Sequence, residues 1–196
     1  MVIMVSFRSG SPLNLGPFTL KSYILTYSYP LTYKTLLNSI VYAGVSLVLV
    51  MSVATLFAWL IERTDMPWRN LAWALILLPI GMPSFLLTMS WILLLNPTVR
   101  ILNAAIRRLL EIFAFPIQTG PFNIYSLGGM IFVNSITGLT TVFLLIVGAF
   151  RLVNQEIEDA ALVSGAGSRT TLFRVTLPIL LPALTVAALY KFAGDL

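Results

Sequence analysis

N-Q-E-I-E-D-A-A-L-V-S-G-A-G-S-R-T-T-L-F-R-V-T-L-P-I-L-L-P, from Asn154 to Pro182, is a polar interruption in a very hydrophobic chain. Apolar segments lie on both sides, so the stretch is expected in water at a membrane face. Asn154 is a good N-cap, and Glu156, Glu158 and Asp159 fall in the first turns, where the helix dipole favours acids. Ile157, Ala160, Ala161 and Ser164 follow at helical spacing on one small, smooth face. Gly165 and Gly167 interrupt that helix. Ser168 is placed to cap a second short helix carrying Leu172, Val175 and Ile179. Pro178 suits the first turn of a further helix, with Pro182 one turn later. The spacing therefore predicts a helix, a glycine turn and another helix, projecting from a membrane.

The rest of the chain supplies the membrane. Of 196 residues, 58% are hydrophobic and 10% are charged, with a mean hydropathy of +0.93. Soluble domains carry about 25% charged residues, so a chain this apolar belongs in a bilayer. Thr35 to Ile61 holds no charge in 27 residues, and a helix needs about 20 to cross. Within this span Gly44 with Ala43, and Ala54 with Ala58, permit close helix contact. Asn38 is a polar position there, read either as lining a pathway or as bonding a neighbouring helix. The short loop Glu62–Asn70 carries Arg63, Arg69 and Trp68, which fits a cytoplasmic turn. Residues 71–95 form a second span, and 125–150 a third. A fourth, 179–196, starts but is incomplete.

Pro79 and Pro83 flank Gly81 inside the second span. Proline removes a backbone donor, and broken backbone in a membrane is tolerated only against protein or water. These three residues are expected to be a hinge or pathway wall, or a static kink for packing. Residues 96–120 are expected to form an amphipathic helix along the interface. Its stripe is Ile101, Leu102, Ala105, Leu109 and Ile112, with Arg100, Arg107, Arg108 and Glu111 beside it. Residues 9–34 read as an extramembrane loop. Residues 1–6 resemble the tail of an earlier helix rather than a signal peptide.

Several function classes are poorly supported. The net charge of +5 is spread along the chain, unlike a nucleic-acid patch. With no cysteine and no histidine, disulfides, thiol or histidine catalysis and the usual zinc or haem ligands are excluded. No acid pair resembles a catalytic dyad. Gly165-Ala166-Gly167-Ser168-Arg169 lacks the lysine and the preceding strand of a phosphate-binding loop, so ATP binding by this chain itself is not expected. No cofactor, metal site or catalytic residue is assigned.

The Asn154–Pro182 stretch resembles the EAA loop of integral membrane permeases in binding-protein-dependent ABC importers. That pattern is E-A-A, three residues, G, nine residues, I, any residue, L-P. Here it runs Asp159-Ala160-Ala161, then Gly165, then Val175, Thr176, Leu177-Pro178. Two positions depart: Asp159 stands for Glu, with Glu158 just before it, and Val175 stands for Ile. The resemblance covers roughly residues 18 to 196. It implies an all-α polytopic membrane protein of the MetI-like permease type, a single transmembrane domain over 1–196 with a cytoplasmic coupling loop at 151–178. Both ends look cut, so a fragment lacking the first and last spans is expected.

It also implies partners: an ATP-binding ABC subunit, an extracytoplasmic substrate-binding protein and a second permease half, in a bacterial inner membrane. Ala160 and Ala161 would allow close approach to the ATPase. Gly165 would let the chain turn, and Glu158 or Asp159 would pair with its basic groups. The lead-ins Phe18–Tyr23 and Phe122–Ile131 resemble iron(III)-type permeases, so iron(III) is the expected substrate. Polyamine, thiamine or another small solute is the alternative, as is a passive channel or scaffold. Orientation rests on the motif. Inside loops would carry Arg63, Arg69, Arg151, Arg169 and Arg174, against six basic residues outside, which does not satisfy the positive-inside rule.

Overall fold

The computed structural model describes residues 5–11, 14–96 and 123–196. The chain divides into two compact units, Met1–Val41 and Tyr42–Leu196. In the first, strands β1 (Arg8–Ser11) and β2 (Asn14–Phe18) pair antiparallel, and helix α1 (Lys21–Ser28) follows. The stretch 9–34, read from the sequence as an extramembrane loop, thus carries a hairpin, a helix and the start of the next one. The Arg8 guanidinium lies 4.6 Å over the Phe18 ring, and the Phe7 and Tyr23 rings meet in a tilted pair with centroids 5.0 Å apart. Helix α2 then begins at Pro30 and runs unbroken to Arg63, starting earlier than the expected span. Proline is tolerated at that start because the first N–H groups have no helical acceptor.

The second unit holds the membrane layer. Its described helices are the rest of α2, α3 (Arg69–Leu77), α4 (Ser84–Leu95), α5 (Leu127–Leu152), α6 (Gln155–Val163), α7 (Ser168–Thr171) and α8 (Leu177–Asp195). Among the described residues three helical stretches are long and apolar enough to cross a membrane: Pro30–Arg63, Leu127–Leu152 and Ser168–Asp195. The protein is an all-α, multi-pass membrane protein. Large apolar side chains such as Val48, Leu56, Leu181 and Leu189 are exposed on these helices, as expected where lipid is the solvent.

Small residues let the spans approach. The buried face of α2 is Ala43, Ser46, Val50, Ala54, Ala58 and Ile61, spaced by threes and fours. Lipid tails are as apolar as leucine, so helices associate in a bilayer through close van der Waals contact rather than water exclusion. Alanine on this stripe permits that contact. Gly44, expected to help, has no neighbour within reach of an added Cβ. Val50, Ala54, Ala58 and Ile61 of this face share one apolar core with Val142, Phe143, Ile146, Val147 and Phe150 of α5, Ala72 and Ile76 of α3, and Leu180 and Ala187 of α8. The Thr140 hydroxyl donates to the Ile76 carbonyl at 2.6 Å, tying α5 to α3.

The second expected span is not one helix. A 3₁₀ turn, Leu78–Gly81, separates α3 from α4, and the two helical arms are bent by 108°. Pro79 lies in the first positions of that turn and Pro83 immediately precedes α4. Both prolines therefore start helices, where a missing N–H is harmless, rather than kinking one from within. The bend is much sharper than a proline kink. The expected interfacial helix over 96–120 lies almost wholly outside the described residues.

The helix that carries the last expected span starts earlier than Ile179, at Ser168: α7 passes through a π-helical segment, Leu172–Thr176, directly into α8. The Leu177 N–H reaches back five residues to the Leu172 carbonyl. Pro178 and Pro182 have no N–H to give and their rings crowd carbonyls one turn earlier. A widened turn ahead of them accommodates both and re-aims Thr176.

Candidate functional site at the α6 end of the spans

Helix α6 is short, with defined ends. The Asn154 side chain accepts from the Glu156 N–H at 3.1 Å, satisfying one of the orphan donors of the first turn. At the other end Gly165 has φ +88. Its N–H donates to Leu162 O at 2.9 Å, and the Ala166 N–H donates to Ala161 O at 3.1 Å. These two bonds form a Schellman closure with glycine at the left-handed position. Gly165 therefore ends the helix because its backbone sign requires it. Gly167 differs: with φ −74 and ψ 157 it has an extended backbone open to any residue, and it, not Ser168, occupies the N-cap of α7.

The motif residues separate into two groups. On α6, Asp159 and Ala160 are exposed and Ala161 is half-buried. Ile157, Leu162 and Val163 add exposed apolar surface, with Val163 90% exposed. The later positions lie elsewhere: half-buried Val175 is in the π segment, and half-buried Leu177 and exposed Pro178 open α8. The two acids are not equivalent. Glu158 points inward and is buried, which leaves Asp159 as the acid facing outward.

Glu158 sits at a junction of four elements. Its Oε2 lies 2.7 Å from Arg63 Nε at the end of α2. Arg63 Nη2 also donates to the Phe150 carbonyl at 2.8 Å and the Val153 carbonyl at 3.2 Å, at the C-terminal end of α5. A cation there complements the unsatisfied carbonyls and the dipole. The Thr176 hydroxyl donates to Glu158 Oε1 at 3.0 Å. A cavity of about 290 Å³ opens beside this junction, lined among others by Glu62, Asp65, Arg69, Glu158, Asp159 and Ser168. Its second ion cluster is more open. Glu62 accepts from Arg151 Nε and Nη2 at 3.2 and 2.9 Å, with Arg69 3.8 Å away. Arg151 and Arg69 are half exposed, so this cluster is screened by water and salt.

The proposed pathway residues are dispersed. Asn38 is exposed and belongs to the first unit. Pro79 is half-buried, and Gly81 and Pro83 are exposed at the bend. A different set lines a cavity of about 330 Å³ among the spans of the second unit: Tyr42, Thr88, Tyr125, Asn134 and Thr137 are its polar members. Asn134 Nδ2 is buried and has no hydrogen-bond partner among the described residues. Sequence reasoning passed over Asn134. The available signal was a cluster of polar residues, Asn134, Ser135 and Thr137, inside the uncharged stretch 125–150. Near the end of α8, Asp195 forms an ion pair with Lys191 one turn earlier, and both side chains are buried. Lys191 crosses the face of Gly138, where an added Cβ would meet its Cε.

No family model matches the chain. It is 26% identical over 199 residues to the diacetylchitobiose uptake system permease protein NgcG of Streptomyces coelicolor, covering 98% of this chain and 58% of that protein. It is 27% identical over 200 residues to the probable ABC transporter permease protein PH1036 of Pyrococcus horikoshii, covering 97% of this chain and 64% of the relative. Similarity to the maltose/maltodextrin transport system permease protein MalF of Klebsiella aerogenes is 23% over 159 residues, 79% of this chain and 30% of MalF. The chain thus spans little more than half of the relatives it matches along its length.

Proposed function

We propose, from the premise that this chain is an integral membrane permease of the ABC transporter type, that it forms part of the solute path of an ATP-driven importer. In this reading α6 docks on a separate ATP-binding subunit in the cytoplasm of a bacterial cell. The observation that carries it is the construction of α6: a capped, two-turn helix with Asp159, Ala160, Ile157, Leu162 and Val163 exposed on it. Small and apolar residues allow close approach, and Asp159 supplies a charge for a basic group of the partner. An external solute-binding protein and a second permease half complete the assembly.

The relatives whose names carry a substrate transport diacetylchitobiose or maltose and maltodextrin. We therefore favour an oligosaccharide over the iron(III), polyamine or thiamine expected from the lead-ins. The cavity lined by Tyr42, Thr88, Asn134 and Thr137 supports this, because hydroxyl and amide groups suit sugar hydroxyls. The chain acts as a transport subunit and not as an enzyme.

Co-expression of the full-length protein with candidate ATP-binding subunits tests the docking. An ATP-binding subunit should copurify with the wild type. Asp159→Arg and Gly165→Glu should weaken that association while leaving membrane insertion unchanged. A wild-type protein that captures no ATP-binding subunit, and conducts solute without ATP, is a channel and refutes the proposal.

A further inference from the structure

We propose that Glu158 is a positioning residue: through Arg63 it fuses α6 to the spans, so that a pull on α6 moves α2, α5 and α8 together. This inference rests on the docking of α6 argued above and assigns Glu158 a part different from Asp159. The two neighbouring acids divide the work, Asp159 outward to a partner and Glu158 inward to the membrane helices.

The geometry carries the inference in three ways. First, the contact is enclosed: the side chains of Arg63 and Glu158 are each 9% exposed at 2.7 Å. A pair with both side chains enclosed is weakly screened, whereas in the neighbouring Glu62–Arg151 pair the glutamate is enclosed but the arginine is 57% exposed to water and salt. Second, the contact is branched. Arg63 Nε faces Glu158 as an ion pair by proximity, without hydrogen-bond alignment, while Nη2 donates to Phe150 O and Val153 O, and the guanidinium lies 5.7 Å from the Phe150 ring. The fork of a guanidinium makes such contacts in fixed relation; an ammonium is a point charge. Third, Thr176 reaches Glu158 from the π segment, whose extra residue turns its hydroxyl to Oε1. Insertions of this kind in a helix are frequent at functional positions.

Without the Glu158 charge, Arg63 still caps α5, but among the described residues no other ion pair joins α5 and α2 to α6. The loops Val153–Asn154 and Ser164–Gly167 then become hinges, and motion of α6 is absorbed there. A purely structural pair would lower stability on removal without separating ATP hydrolysis from movement of the spans. Glu158 is expected to separate them.

The test uses the full-length protein assembled with its ATP-binding subunit in lipid nanodiscs. These 196 residues contain no cysteine, so spin labels can be placed singly. Labels at Leu56 and Val163, both exposed, report the α2–α6 distance. Labels at Val48 and Leu189, also exposed, report the separation of α2 and α8. In the wild type the first distance should be narrow and unchanged by ATP with vanadate, while the second should shift. In Glu158→Gln and Arg63→Gln the ATP-binding subunit should still copurify and hydrolyse ATP. The first distance should broaden and the nucleotide-driven shift of the second should be lost. Glu158→Asp and Arg63→Lys serve if the glutamine variants do not assemble, and the same loss in weaker form is expected. Arg151→Gln should leave both distances as in the wild type. A narrow α2–α6 distance and a full shift in the Glu158 variants would overturn the brace alone. Failure of the wild type to bind the subunit, or to shift with nucleotide, would overturn the docking proposal and the brace with it.

Discussion

Gly165→Ala isolates the backbone requirement at the end of α6. The φ of +88 lies in the left-handed region, yet an added Cβ meets no atom within 4 Å. Sterics from neighbours therefore contribute nothing, and the effect comes from the residue's own backbone. A left-handed conformation disfavours an L-residue by roughly 1–2 kcal/mol. Alanine regains roughly 0.4–1 kcal/mol by restricting the unfolded chain. The net expectation is a loss of about 1 kcal/mol, or roughly 2–4 °C in melting temperature for a chain of this size. Gly165→Asn should fall less, because the short polar side chain tolerates this region. Gly167→Ala is the internal control. Its φ of −74 is ordinary and its Cβ also finds open space, so the change should stay within about 0.5 kcal/mol. Thermal unfolding in detergent, followed by tryptophan fluorescence, reads all three variants. Equal losses at Gly165 and Gly167, or equal losses for alanine and asparagine at Gly165, would refute the assignment of the Schellman closure.

Three other outcomes are expected. Arg63→Gln leaves Glu158 enclosed without a counter-charge and should destabilise by roughly 3–5 kcal/mol, with little salt dependence; Arg151→Gln should lose under about 1 kcal/mol, and less in high salt. Chemical denaturation at two ionic strengths distinguishes the pairs. Lys191→Met strands Asp195 in the membrane layer and should also lose roughly 3–5 kcal/mol, whereas Lys191→Met with Asp195→Leu should recover most of it; unfolding in mixed micelles measures this. Asn154→Ala removes the N-cap and should loosen the first turn of α6 by roughly 0.5–2 kcal/mol. Faster hydrogen exchange at the Glu156 amide is the readout.

Some of this site is legible in a linear sequence because its causes are local. Asn154 followed by acids reads as a helix start, since capping and the dipole involve residues within one turn. Gly165 reads as a stop for the same reason, although the sequence does not say which of two nearby glycines carries the positive φ. Long uncharged runs read as spans because the bilayer judges them by length and composition. Proline was legible as a disturbance but not as a direction. Pro79 and Pro83 look alike in sequence whether they kink one helix or start two.

Other features had no local cause. Glu158 and Asp159 are adjacent acids on the same turn, and nothing in their neighbourhood assigns one to the interior. That assignment depends on Arg63, 95 positions earlier, arriving at the end of α5 where carbonyls need a donor. Likewise Lys191 and Asp195 are an ordinary helical pair until Gly138 makes room for them on the opposing span. By itself the sequence determined that the chain is helical, lies in a membrane and carries a capped helix between its later spans, because those properties follow from hydropathy and one-turn interactions. Only the tertiary structure decided which acid faces outward and how α6 is fastened, because burial and ion pairing depend on helices brought together across the chain.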